Sequence, residues 1–137
     1  MERISAQGGC LCGNVRYQID AQPIDAGFCH CRLCQRATGA PVVAWVTLPV
    51  EGFRYLQGSP AVFQSSSHSQ REHCAACGTA LVFRKSVAPV TLDVTLCSLD
   101  EPTLVQPQYH IWLESRVDWL HLGDDLPQHA GAGPDQH

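Results

Sequence analysis

Cysteine spacing constrains this chain more than any other feature. Seven of its eight cysteines fall into three tight groups, Cys10-Leu11-Cys12, Cys29-His30-Cys31-Arg32-Leu33-Cys34 and Cys74-Ala75-Ala76-Cys77, while Cys97 stands alone. No stretch approaches the roughly 20 apolar residues that span a bilayer. The start, Met1-Glu2-Arg3-Ile4-Ser5-Ala6, lacks the apolar core of a secretion signal. The expected compartment is therefore the cytoplasm. Thiols stay reduced there, so close-set cysteines read as metal ligands rather than as a disulfide scaffold.

A structural zinc takes four ligands, and short loops can bring two thiolates at a time to about 2.3 Å from one ion. The outer pairs, Cys10, Cys12, Cys74 and Cys77, complete such a set, and the pairs are followed by Gly13 and Gly78, suited to a tight turn. The central group then supplies three ligands, Cys29, Cys31 and Cys34, which leaves a fourth position for water or substrate, the pattern of a catalytic zinc. The alternative partition closes the central site with His30, His73 or Cys97 and makes it purely structural. His30 sits between two cysteines of an extended knuckle, where its side chain points away from theirs. Cys97, in an apolar run, reads as a buried free thiol.

The 137 residues fit one domain, expected over 1–126, with 127–137 as a flexible tail. From Asp124 onward there are two prolines, two glycines and no aromatic residue. Apolar residues at 45% and charged residues at 16% are ordinary for a globular protein. The formal net charge of −4 and a single lysine, Lys85, give no footprint for nucleic acid.

Val15, Tyr17 and Ile19 alternate with Arg16, Gln18 and Asp20, the period of a half-buried strand that Pro23 ends. Further strands are expected at Pro41–Leu48, Phe53–Leu56, Ala80–Arg84, Val90–Leu96, Tyr109–Leu113 and around Trp119–Leu122. One short helix is expected from Arg32 to about Thr38, stopped by Gly39 and Pro41. The fold class is mainly β.

The run Gly9-Cys10-Leu11-Cys12-Gly13-Asn14-Val15-Arg16-Tyr17, taken with the other two cysteine groups, resembles the glutathione-dependent formaldehyde-activating family, also called the centromere protein V family. His110-Ile111-Trp112-Leu113-Glu114-Ser115-Arg116 and Ser98-Leu99-Asp100 extend the likeness over roughly Gly8 to Leu126. The resemblance implies an Mss4-like zinc-binding β fold and the joining of glutathione and formaldehyde into S-hydroxymethylglutathione, a carbon–sulfur lyase-type activity. It also implies two zinc ions: a structural one on Cys10, Cys12, Cys74 and Cys77, and an exchangeable one on Cys29, Cys31 and Cys34.

Three thiolates leave zinc a weaker Lewis acid than three histidines would, so an incoming thiol, activated by deprotonation, suits the site better than water. Glutathione carries two carboxylates, and Arg32 and Arg36 are the cations nearest in sequence, unless they are solvated surface residues. Trp45 and Trp112 are candidates to wall a pocket or to belong to the core. His110 is a candidate proton shuttle or a histidine satisfied by a backbone carbonyl. The competing function is a non-catalytic zinc module that binds a protein or a small thiol.

Overall fold

The computed structural model describes residues 1–133. Among these, ten strands and one α-helix follow in the order β1 (Ile4–Gly9), β2 (Arg16–Ala21), β3 (Asp25–Cys29), α1 (Arg32–Thr38), β4 (Val43–Pro49), β5 (Phe53–Gln57), β6 (Ala61–Gln64), β7 (Ser69–His73), β8 (Ala80–Lys85), β9 (Thr91–Thr95) and β10 (His110–Ile111). The protein is mainly β, with its single helix directly after the central cysteine knuckle.

Both ends of α1 follow from its sequence. Cys31 is extended at the N-cap and its sulfur accepts the Cys34 N–H, while Gly39, left-handed at φ 70°, returns its N–H to the Gln35 carbonyl. The strands form a three-stranded sheet, β1-β2-β5, and a seven-stranded one, β10-β3-β4-β9-β8-β7-β6. All pairings in the larger sheet are antiparallel except that of β10 with β3.

The two-residue period of a strand decides what each face does. Along β4, Val46 and Leu48 join Val82, Leu92, Val94 and, from the smaller sheet, Tyr17 and Ile19 in the main buried cluster, so the core lies between the sheets. Val43 and Trp45, one step out of phase, join Cys29 and Cys34 in a second cluster on the opposite face. Register carries that outer face across the sheet: Arg71 on β7 pairs with Phe83 on β8, which pairs with Asp93 on β9. Between them, Glu72 turns inward and is buried, accepting from Tyr55 Oη at 2.7 Å, Gln70 Nε2 at 2.9 Å and Arg84 Nη2 at 3.0 Å. Tyr55 belongs to β5, so this buried carboxylate links the two sheets.

Several elements differ from the sequence expectation. No strand forms at Trp119–Leu122, and Trp119 is 66% exposed. The edge of β10 that such a strand would need is taken by the later segment around Gln128, which bridges His110 in parallel. The expected strand Tyr109–Leu113 contracts to His110–Ile111 because Trp112 adopts a left-handed φ of 58° and Leu113–Ser115 forms a 3-10 turn. β1, β3, β6 and β7 carry no clean strand signal in sequence: β1 and β3 are interrupted by glycine, β6 is only four residues long and β7 is polar throughout. Cys97 is exposed, not buried, because Leu96–Ser98 leaves the sheet as a 3-10 turn and only Leu96 points in.

Residues 127–131, expected to begin a flexible tail, run back along β10. The His110 N–H donates to Pro127 O and the His129 N–H to His110 O, each at 2.9 Å, and the Trp112 N–H donates to Gly131 O at 2.9 Å. The end of that expected tail, 134–137, lies outside the described residues.

Candidate metal centres and cleft

β1 runs into Cys10 and β7 into Cys74, and the two loops that follow share one backbone design. The Cys10 N–H donates to Val15 O at 3.1 Å and the Cys74 N–H to Thr79 O at 3.0 Å. The Gly13 N–H returns to Cys10 O at 3.2 Å and the Gly78 N–H to Cys74 O at 2.9 Å. Both glycines sit at φ 81°, a conformation other residues adopt only under strain. The loops bring the sulfurs of Cys10, Cys12, Cys74 and Cys77 within 4.8 Å of one another, a cluster that could hold a metal ion. Cys10 Sγ lies 3.6 Å and Cys74 Sγ 3.7 Å from Cys12 Sγ. Four sulfurs at tetrahedral corners about 2.3 Å from zinc stand roughly 3.8 Å apart, so the quartet fits this ion. Backbone N–H groups of Val15 and Cys77 point at Cys10 Sγ and Cys74 Sγ at 3.2 and 3.4 Å, as thiolates require. The Thr79 hydroxyl, helped by backbone N–H groups, draws the Cys77 thiol down to about 5.

The second cluster is a trio. Cys29 closes β3, Cys31 caps α1 and Cys34 lies in its first turn, with all three sulfurs within 4.8 Å of one another. Neither His30, His73 nor Cys97 joins either cluster among the described residues. Hydrogen bonds from Cys29 and then Cys34 hold the Cys31 thiol far below the usual range, while the same contact with Cys31 pushes Cys29 up. Arg71 adds a cation, its Nη2 3.6 Å from Cys34 Sγ.

His30 points away from the cysteines into a buried chain. Its Nε2 lies 2.9 Å from His110 Nδ1, and His110 Nε2 lies 2.9 Å from Asp124 Oδ2. An ionised Asp124 can only accept, so His110 Nε2 donates to it, His110 Nδ1 accepts, and His30 Nε2 donates. His30 Nδ1 is left as a buried lone pair without a partner. Burial drives His30 down to about 4, with His110 adding to the effect. Gln35, also buried, extends its amide to the carbonyls of His30 at 3.0 Å and Pro41 at 3.2 Å, tying the knuckle to the end of α1.

The trio opens into a cleft of about 420 Å³ on the outer face of the large sheet. Trp45, Phe83, Tyr109, Ile111 and Trp112 give it apolar walls, and Arg71 and Asp93 are its charged residues. Gly27 also lines it; a Cβ there would meet the Tyr109 ring at 2.2 Å, so only glycine admits the tyrosine. The Arg71 guanidinium lies 4.9 Å over the Phe83 ring.

Of the residues singled out from sequence, Trp45 and Trp112 line this cleft, Trp45 while belonging also to the buried cluster beside the trio. Arg32 and Arg36 do not line it: both are exposed on α1, where Arg32 reaches Gln35 Oε1 at 3.3 Å. His110 is buried behind the knuckle rather than facing the cleft, and its ring is satisfied by His30 and Asp124, not by a carbonyl. Sequence reading missed Arg71, Phe83 and Asp93. Arg71 sits in the polar run Ser69-Gln70-Arg71-Glu72-His73, and its one signal is a buried acidic neighbour, which sequence does not reveal.

The fold and its two sites define a β protein with one cysteine quartet and one cysteine trio, each able to hold a metal ion, the trio facing an aromatic cleft. The profile of the glutathione-dependent formaldehyde-activating enzyme family matches residues 5–115, and the chain belongs to that family. An uncharacterized lyase of Schizosaccharomyces pombe is 25% identical over 119 residues, covering 70% of this chain and 80% of the yeast protein. The crystal structure of a Rhodobacter sphaeroides protein has the same fold, with a TM-score of 0.60 at 22% identity, over 89% of this chain and 98% of that one. Family and relative together support an enzyme of the lyase kind.

Proposed function

We propose that the chain is a zinc-dependent carbon–sulfur lyase-type enzyme that joins the glutathione thiol to a small electrophile such as formaldehyde, or reverses that addition. The observation that carries this reading is the placement of three cysteine sulfurs, with no fourth protein ligand among the described residues, at the base of a cleft of about 420 Å³. Cys10, Cys12, Cys74 and Cys77 would hold a structural zinc, and Cys29, Cys31 and Cys34 an accessible one. Bound to the trio, zinc would lower the pKa of an incoming thiol so that it is a nucleophile at neutral pH.

The chain's own residues do the remaining work. Arg71, in the cleft lining, would receive a carboxylate of the tripeptide, whereas Arg32 and Arg36 are exposed on α1 and do not line the cleft. Trp45 and Trp112 keep water from the base of the cleft, which strengthens charge interactions there. The His30–His110–Asp124 chain and Gln35 fix the knuckle, so the three sulfurs hold their geometry before substrate arrives.

Calorimetric titration of the zinc-loaded protein with reduced glutathione tests this. Saturable binding that weakens at least tenfold in Cys31→Ser is the expected result. No binding at millimolar glutathione overturns the reading, and binding without turnover of any aldehyde assigns the chain to the non-catalytic zinc modules.

A further inference from the structure

Six of the side chains lining the cleft beside the trio are large and apolar: Leu33, Trp45, Phe83, Tyr109, Ile111 and Trp112. A one-carbon electrophile has no surface to set against them. With formaldehyde bound, most of these walls would still face water, and burying apolar area is the main favourable term available in such a pocket. The walls are also built rather than incidental. Trp45, Phe83 and Ile111 stand on three strands of one sheet face, Gly27 is held free of a side chain so that the Tyr109 ring can enter, and Trp112 is turned by a left-handed backbone. Arg71 is the cleft's positive charge and lies beside the sulfur of Cys34, which suits an occupant that is anionic at one end and apolar at the other.

We propose that the cleft favours thiol adducts whose sulfur carries an aromatic or bulky alkyl substituent, so that among the electrophiles of this reaction an apolar aldehyde is preferred to formaldehyde. The proposal rests on the thiol reading above. In the forward direction the thiol sulfur bonds to the aldehyde carbon, the carbonyl π bond opens onto oxygen, and the thiol proton ends on that oxygen; nothing is oxidised or reduced. The substituent from the aldehyde then packs among Trp45, Phe83 and Trp112, while Arg71 holds a carboxylate of the thiol.

Because Trp45 and Trp112 line the cleft, intrinsic fluorescence reports its occupancy. The full zinc-loaded chain would be titrated with glutathione, S-methylglutathione and S-benzylglutathione, the last two sharing a blocked sulfur and differing in the apolar group. The expected result is at least tenfold tighter binding of the benzyl than of the methyl compound, with the gap reduced in Trp112→Ala. Acrylamide quenching of the wild-type protein gives a readout that does not depend on the variant folding: the benzyl compound should shield the tryptophans more than the methyl compound does. Equal affinities for the two thioethers, with glutathione itself binding, would overturn the aromatic-substituent proposal and leave the thiol reading intact. If none of the three binds, the thiol reading fails and takes the proposal with it.

Discussion

His30 shows how a residue between two metal ligands can be committed to something else. Its ring is fully buried and joined to His110, and burial holds it near 4 rather than 6.5. Between those values an unfolded chain binds a proton at this position that the folded chain does not, so stability falls as pH drops through that window. His30→Gln keeps a donor for His110 Nδ1 and removes the titration. Denaturant midpoints followed down through the window should therefore decline more steeply for wild type, by up to about 1.4 kcal/mol per pH unit. The cysteines were legible in sequence, because thiolate spacing is a local property of the chain. The partners of His30, and Arg71 in the cleft, were not, since β pairing alone brings residues 71 and 110 to the knuckle.

At the scale of the element, α1 was readable in its approximate bounds because its left-handed glycine is encoded next to it. β1 was not readable. Its Gly8 and Gly9 argue against a strand when taken alone. The structure supplies the reason for Gly8: a Cβ would lie 2.3 Å from Tyr17 Oη and 2.5 Å from the Ser98 carbonyl, where the tyrosine hydroxyl bonds Ser98 Oγ at 2.7 Å. Gly8→Ala must push β1 away from that contact or displace the buried tyrosine. A loss of about 1 to 3 kcal/mol is expected, read as a lowered thermal midpoint of the zinc-loaded protein. The last strand expected from sequence failed for a different reason. Trp119–Leu122 has suitable composition, but another segment holds the only edge beside β10 among the described residues.

Across the whole molecule, the two cysteine clusters differ in what their loss should do. The quartet ties the end of β1 to the end of β7, and apparent binding energies of structural zinc run to about 10 kcal/mol or more. Cys12→Ser and Cys31→Ser should each lower zinc content by about one ion per chain by atomic absorption. Cys12→Ser should also broaden or abolish cooperative thermal unfolding, whereas Cys31→Ser should leave it nearly unchanged. The quartet joins residues 62 apart, Cys12 and Cys74, while the trio lies within Cys29–Cys34. During synthesis the three sulfurs of the trio therefore emerge together long before the quartet is complete, so a nascent chain taking up metal would meet the trio first. The quartet would have to wait until Cys74 and Cys77, beyond β7, had left the ribosome, so any order of metal loading would be written into the chain as a difference in loop length.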